Sequence, residues 1–363
     1  MRRTAALIVG GGPAGSTAAI SLARAGVTPL LIERDREPGD ALCGGFLSWR
    51  TLAMLDRLGL DHRTLHGAPV DRVRLIAGRR SAEARLPAPA IGLSRRALDS
   101  ALLALAEREG AAVERGVTAR EALAPTRIRL DDGGEIEGDA LLLATGKHDL
   151  RGLARPHGAA GDDPALGLRV RLEASPALSA IIGPAIELHL FDRGYAGLVL
   201  HEDGRANLCL AVRKSRLSEA GGKPAALLEA IGREAPALGE RLAWLPSEPR
   251  IDAIGSVPYG WRARGSDPGL FRLGDQAGVI ASLAGEGIAI AVVSGIAAAG
   301  ALEAGVSAPR FQRAFGKRLR GPMAVAGAIR NVAERQATAA MMTAAARTMP
   351  FLTQIIARTT RID

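Results

Sequence analysis

Residues 5–9 (Ala-Ala-Leu-Ile-Val) form a short unbroken apolar run that stops at Gly10-Gly11-Gly12-Pro13-Ala14-Gly15. Residues 16–25 are small, apolar and rich in helix formers, and residues 27–32 are apolar again before Glu33. This order predicts strand, tight turn, helix, strand: a βαβ unit. Trp49, Leu52, Leu55 and Leu58 recur at three-residue steps and predict a helix over 48–58. Residues 70–76 and 81–86 read as a hairpin around Gly78. Leu98, Leu102, Leu105 and Ala106 give one apolar face to a helix over 95–109, followed by a strand over 112–117. Leu141-Leu142-Leu143-Ala144-Thr145-Gly146 reads as a buried strand ending in a glycine turn. Between 166 and 258 short β-like runs dominate (168–172, 185–191, 197–200, 205–212), with one helical stretch over 224–242. A strand returns at 270–273, a helix of small residues fills 285–301, and the tail from Pro309 reads as helix broken at Pro322 and Pro350.

The change of character in the middle divides the chain. A nucleotide-binding domain over 1–77, 90–165 and 259–308 is interrupted by a β-rich substrate domain over 78–89 and 166–258, and a helical tail covers 309–363. A length of 363 residues suits two domains at ~100–200 residues each. Hydrophobic residues at 47% with 23% charged predict a buried core and exclude wholesale disorder. Two cysteines, Cys43 and Cys209, exclude a disulfide scaffold or a Cys-rich zinc site and fit a reducing compartment. No run reaches the ~18 uninterrupted apolar residues of a spanning helix. The basic start Met1-Arg2-Arg3-Thr4 leads straight into the first strand, not into a signal peptide, so a cytoplasmic location is expected.

Charge is uneven. The chain carries +9, and residues 310–363 hold ten Lys/Arg against two Asp/Glu, or +8, which leaves about +1 for the rest. The tail reads either as a solvated face on helices capping the nucleotide domain, or as a surface helix for an anionic membrane or a greasy substrate's entrance. Phe311, Phe315, Met323, Met341, Met342, Phe351 and Leu352 lie among its arginines. Nucleic acid is disfavoured: aromatics are 3% and no reading motif is present.

Gly10, Gly12 and Gly15 make G-x-G-x-x-G between a strand and a helix. The first glycine permits the turn, the second lets backbone approach a pyrophosphate, and the third lets the helix pack on the sheet. The helix start then offers free N–H groups to phosphate. Glu33, eighteen residues past Gly15, is placed to bind ribose hydroxyls and would repel a 2′-phosphate. FAD or NAD therefore suits this site better than NADP, an inference Arg34 weakens slightly.

A second cluster, Leu273-Gly274-Asp275-Gln276-Ala277-Gly278 and then Ala284-Gly285-Glu286-Gly287-Ile288, completes a pattern. Together with the first it resembles the para-hydroxybenzoate-hydroxylase-like flavoproteins. The resemblance implies an α/β fold, with a Rossmann-like FAD-binding domain, a β-rich α+β substrate domain and a helical tail. It implies FAD as cofactor, Asp275 near the ribitol, and Gly285, Glu286, Gly287 and Ile288 beside the isoalloxazine, where a helix start favours the negative charge of reduced flavin. Cys43-Gly44-Gly45 is similar to the Cys-Gly-Gly segment of the geranylgeranyl-reductase branch, as is the Gly-Glu-Gly-Ile wording. Arg95 with Leu98-Asp99 matches the superfamily's R-x-x-(L/F)-D, whose arginine approaches FAD. By the same resemblance Pro13, Ala14, Val117 and Gly146 join the FAD contacts. Two departures stand out. The reductase branch's tryptophan and following proline are missing around Tyr195-Ala196-Gly197-Leu198-Val199, and the hydroxylases' Asp-Gly pair is replaced in Ala144-Thr145-Gly146-Lys147-His148-Asp149. With no second G-x-G-x-x-G, NAD(P)H would dock transiently at the flavin.

No catalytic residue is fixed by these patterns; Cys43, Tyr195 and His148 are the candidates. Cys43 is either a flavin-side residue or a small buried hydrophobe. Cys209 reads as structural, and Glu286 as a carboxylate capping its own helix. Trp244 and Trp261 read as packing. His62, His66, His148, His157, His189 and His201 show no ligand spacing, so no metal is expected. The function expected is FAD-dependent hydride transfer to a C=C bond of a hydrophobic, isoprenoid- or polyketide-like substrate, with an external donor such as NAD(P)H. The alternatives are a monooxygenase hydroxylating an aromatic or polyketide ring through a flavin C4a-hydroperoxide, and a non-catalytic flavin- or lipid-binding protein. The oligomeric state is not written in the sequence.

Overall fold

A computed structural model describes residues 1–156 and 160–362, together with all side chains in that span except those of Pro350 and Leu352. His157 and the Leu352 side chain, both named above, lie outside the described set. Along the chain run β1 (Arg2–Val9), α1 (Pro13–Arg24), β2 (Leu30–Glu33), β3 (Phe46–Leu47), α2 (Trp49–Arg57), β4 (Ala68–Ala77), β5 (Arg80–Gly92) and α3 (Arg95–Arg108). Next come β6 (Ala112–Arg115), β7 (Ala119–Ala124), β8 (Arg127–Leu130), β9 (Glu135–Leu143), β10 (Ala165–Leu172), α4 (Pro176–Ile182), β11 (Ala185–Phe191), β12 (Gly194–Leu200) and β13 (Ala206–Arg213). The last third holds α5 (Lys214–Glu219), α6 (Pro224–Glu234), α7 (Pro236–Leu242), β14 (Asp252–Val257), β15 (Leu270–Arg272), α8 (Gly287–Glu303), α9 (Ala308–Ala333), α10 (Gln336–Thr348) and α11 (Pro350–Thr359).

The first sheet has the order β6-β2-β1-β9-β8-β7, with β15 also on β9. On the edge away from β1, β9 serves two partners: Glu135 to Glu137 pair antiparallel with β8, and Leu141 to Leu143 pair parallel with β15. The parallel strands β1, β2, β9 and β15 carry unbroken apolar runs because both their faces are covered. On one face lie the small-residue helices α1 and α8, with α3 beside α1. Ser94 caps α3, its Oγ accepting from Ala97 N–H at 3.1 Å.

The second sheet has the order β14-β10-β13-β12-β11-β4-β5-β3 and is antiparallel except where β11 meets β4. Strand alternation sorts its faces. Ala196 and Leu198 of β12 pack with Leu178, Leu227, Ile231 and Leu238 of α4, α6 and α7, whereas Tyr195 and Gly197 face a cavity on the other side.

Four expectations need correction. The division at residue 77 cuts a hairpin: β4 pairs with β5 from Ala68 to Ala77 and with β11 on its other edge, so both hairpin strands belong to the second sheet. The predicted helix over 224–242 is two helices, because Pro236 offers no N–H to continue α6 and starts α7 instead. Pro322 does not break the tail; α9 runs through it. Phe311, Phe315, Leu319 and Met323 are buried in the first core, with Phe311 5.4 Å from Phe271 ring to ring. At ~1.5–3 kcal/mol per large buried side chain, this anchoring exceeds the ~3 kcal/mol that an interior proline costs. The tail is therefore not one unit: α9 belongs to the first core, while α10 and α11 cross β4 and β5 of the second sheet.

Candidate active site

Gly10 has φ +106°, and a β-carbon on Gly15 would lie 1.9 Å from the Gly10 carbonyl oxygen, so the turn closes only with glycine at both ends. α1 then begins at Gly12-Pro13 with no side-chain cap and no acid in its first turn, leaving its leading N–H groups to an anion. Glu33, at the end of β2, accepts from Gly11 N–H at 2.6 Å and from Asp35 N–H at 3.0 Å, which sets its carboxylate beside the loop. Val117 sits next to it, donating its N–H to Glu33 O at 2.9 Å. Arg34 is exposed, 3.8 Å from Asp35.

Arg95 is held by a two-pronged hydrogen bond to Asp99, at 2.9 and 2.7 Å. Burial raises the Asp99 pKa, with Arg95 opposing it. A β-carbon on Gly12 would stand 3.2 Å from Arg95 Nη2, so this guanidinium flanks the loop. Across the cleft, Lys147 Nζ lies 3.4 Å from the Asp275 carboxylate. The buried Gln276 amide donates to Gly146 O and His148 O, both at 3.0 Å, tying the glycine turn after β9 to the Gly274-Asp275 turn.

The cavity begins at Gly12, Pro13 and Ala14 and passes Cys43, Gly44, Gly45 and Arg95. It continues by Gly146, Gly274 and Asp275 to Gly285, Gly287 and Ile288 at the start of α8. From there it opens under the second sheet, onto Val73, Leu75, Leu86, Ile186 and Leu188. Its far wall is supplied by the tail: Met342, Ala345 and Ala346 of α10, then Thr353, Ile356 and Ala357 of α11. The tail wall is the largest feature that sequence reasoning missed. Its signal is the small-residue spacing of α10 and α11, which reads equally as ordinary packing.

Cys43 and Tyr195 both line this cavity, whereas His148 is exposed outside it. Its carbonyl oxygen, not its ring, is engaged, by Gln276 and by Thr145 Oγ1 at 2.6 Å. Tyr195 Oη lies 2.7 Å from Ser282 Oγ, which lies 2.9 Å from Tyr259 Oη. Leu283 N–H donates to Tyr195 Oη at 3.2 Å. Burial pushes both phenol pKa values up, and the Ser282 hydrogen bonds oppose this. The result is a protonated two-phenol chain running along the segment that enters α8. Ser282 and Tyr259 carried no motif in the sequence.

Cys209 also faces the cavity and is more than packing. Its Sγ donates to Cys43 O at 2.9 Å, and Asn207 Nδ2 donates to Cys43 O and Gly44 O, both at 3.0 Å. Burial pushes the Cys209 thiol up to about 12, so it remains a neutral donor. A β-carbon on Gly45 would lie 2.1 Å from His201 Nε2, which is why this segment needs glycine. Trp244 packs as expected, in the second sheet's core, and Arg155 lies 5.7 Å over Trp261.

Glu286 does not cap α8. Fully buried, its carboxylate accepts from Arg361 Nη1 and, at 3.3 Å, from Ile362 N–H. Arg361 also lies 4.6 Å over the Trp49 ring. Among the described residues one group gathers possible metal ligands, Asp56, Asp61 and His62, which come within 4.8 Å of one another. Each already has a protein partner, His62 Nδ1 at 2.8 Å from Asp56 and Arg63 Nη2 at 2.9 Å from Asp61.

These residues fit FAD. The uncapped α1 start and glycine turn would suit a pyrophosphate, the carboxylates of Glu33 and Asp275 would each suit sugar hydroxyls, and the α8 start with Gly287 leaves room for a flat ring. A family model described as an FAD binding domain matches residues 3–136. Menaquinone reductase of Mycolicibacterium smegmatis is 30% identical over 332 residues, covering 84% of this chain and 77% of that protein. Among solved structures, a geranylgeranyl bacteriochlorophyll reductase-like protein of Thermoplasma acidophilum superposes with a TM-score of 0.72 at 22% identity, over 100% of this chain and 94% of the other. The myxobacterial chondrochloren halogenase CndH gives a TM-score of 0.72 at 19% identity, over 100% and 92%. The likeness to these two structures shows a shared fold. Together with the glycine clusters and their cavity, the family match and the sequence relative show that this chain is an FAD-dependent oxidoreductase and belongs to the para-hydroxybenzoate-hydroxylase-like flavoproteins.

Proposed function

We propose that the protein reduces a carbon–carbon double bond of an isoprenoid-type substrate, using NAD(P)H as donor. The observation that carries this reading is one continuous cavity. Its flavin end is lined by Cys43 and Gly285, and its other end by aliphatic side chains of β4, β5 and β11 and by the tail helices. Such a lining favours a long apolar chain through burial and offers few partners to a polar ring. A relative named for menaquinone reduction supports a lipid-like substrate.

When bound, FAD supplies the ring that accepts and gives hydride. The protein's part is binding, orientation and a proton. Gly12, the α1 start, Glu33 and Arg95 would hold the dinucleotide, and Asp275, steered by Lys147, would hold the ribitol. The Cys43-Gly44-Gly45 segment, fixed by Asn207 and Cys209, would press against the ring. Saturating a double bond also needs a proton, and Tyr195, which lines the cavity, would give it. Its oxygen accepts from Leu283, so its hydrogen is free for Ser282 or for substrate, and Ser282 and Tyr259 can relay a replacement.

The test is reoxidation of the anaerobically reduced holoprotein by isoprenoid and phenolic compounds. Reoxidation by an isoprenoid without oxygen is expected. Reoxidation that requires both oxygen and a phenolic compound would replace this reading with hydroxylation.

A further inference from the structure

The helices that wall the cavity also carry an unusual outer surface. Among the described residues, most of the exposed large hydrophobic side chains fall between Val332 and Ile356. Met341 is 69% exposed, Phe351 55% and Ile355 50%, and Met349 lies on the segment joining α10 to α11. On α11, Phe351, Ile355 and Arg358 follow at helical spacing and form an outer stripe. Thr353, Ile356, Ala357 and Thr360 form an inner stripe on the cavity. A surface helix of a water-surrounded protein is polar on its outer face; the outer stripe of α11 instead carries Phe351 and Ile355 ahead of Arg358.

The charge along this stretch of chain has one sign. From Arg335 to Ile362 there are four arginines and no Asp or Glu. Arg361 is buried on Glu286, while Arg335, Arg347 and Arg358 are exposed. Exposed aromatic and aliphatic side chains rimmed by arginine match the interface of an anionic bilayer: apolar groups enter the acyl boundary and guanidinium groups meet phosphate. Among the described residues no helix is long and apolar enough to cross a membrane. Ile356 is both partly exposed and part of the cavity wall, so at the patch a single side chain meets both solvent and cavity.

We propose that the outer face of α10 and α11 docks on an anionic lipid bilayer, and that the cavity opens toward that bilayer beside Ile356. The docking stands on the patch and its charge. Its use as a substrate entrance rests on the isoprenoid reading above.

The test is flotation of the full-length holoprotein with vesicles of phosphatidylcholine and phosphatidylglycerol, compared with phosphatidylcholine alone, with no substrate present. Vesicle binding and the proposed reaction can then fail separately. The protein is expected to float with the anionic vesicles. Phe351→Asp with Ile355→Asp, and separately Arg347→Gln with Arg358→Gln, should each lower the bound fraction about tenfold. Flavin content and melting temperature report that these variants are folded. The proposal is overturned if the wild type floats with neither vesicle or if both double variants bind as the wild type does. A concentration-dependent dimer that needs Phe351 and Ile355, without vesicle binding, would assign the patch to a second copy of the chain and overturn it equally.

Discussion

Replacing Arg361 with alanine tests how the tail is fastened. Glu286 is fully buried, and its carboxylate is met by Arg361 Nη1 and Ile362 N–H. Removing one partner of a buried ion pair costs ~3–5 kcal/mol, and the guanidinium stacked 4.6 Å over Trp49 adds ~0.5–2 kcal/mol. The chain can limit this loss by releasing α10 and α11 and admitting water to Glu286. Local detachment should therefore appear before global unfolding. A cost of ~3 kcal/mol shifts the detachment equilibrium about a hundredfold. Tryptic cleavage at Arg335, Arg347 and Arg358 of the holoprotein reads this shift, since cleavage follows the open population when closing is fast. The penalty should shrink as pH falls. Burial raises the Glu286 pKa and Arg361 opposes that rise, so without Arg361 the carboxyl protonates more readily and the stranded charge disappears. Glu286→Gln combined with Arg361→Met should recover most of the loss, because no buried charge remains. Cleavage of Arg361→Ala within twofold of wild type, or a double variant no better than the single one, would refute this account of the tail.

Three further outcomes follow from the geometry. Gly15→Ala should yield a protein with little bound flavin, read from the visible spectrum after purification, because the new methyl lies on the Gly10 carbonyl. Tyr195→Phe should keep its flavin and its KM while kcat falls ~100-fold or more, in line with loss of a general acid; an unchanged kcat removes Tyr195 from the proton path. His201 is buried with Nε2 unpartnered, and burial lowers its pKa to about 4. Its folded pKa lies below the unfolded ~6.5, so the unfolded chain binds the proton first and stability is lost as pH falls through that window. Between pH 7 and pH 5 this amounts to about 2 kcal/mol in urea unfolding, and His201→Gln should remove that increment.

Much of the nucleotide site was legible because its chemistry is local. Gly10 to Gly15, Glu33, Arg95 and Asp275 each sit in a short motif where a backbone constraint or a charge dictates the residue type. The second sheet was legible as strands, from alternation such as Tyr195, Ala196, Gly197, Leu198. Its membership was less so, since the pairing of β4 with β11 joins residues far apart in sequence and nothing local specifies the partner. The cavity wall could not be read for a similar reason. Met342, Ala346 and Ile356 are small or aliphatic residues at helical spacing, and only the tertiary path of α10 and α11 over β4 and β5 turns that face into a cavity wall. The Glu286–Arg361 pair is likewise long-range. Glu286 at the head of a helix looks like a cap by local rules, yet its partner comes from the far end of the chain. Pro322 shows the converse: a strong local breaker is overridden by aromatic burial in the first core.

The central claim is that the flavin and an apolar chain share one dry cavity in which a double bond is saturated. Mass analysis of the product formed from an isoprenoid substrate under strict anaerobiosis, with NAD(P)H supplied, tests it most directly. The account predicts a product gaining two hydrogen atoms and no oxygen, formed equally well when oxygen is excluded. A product that gains an oxygen atom and forms only in air, or no product from any isoprenoid while the bound flavin is reduced, would contradict it.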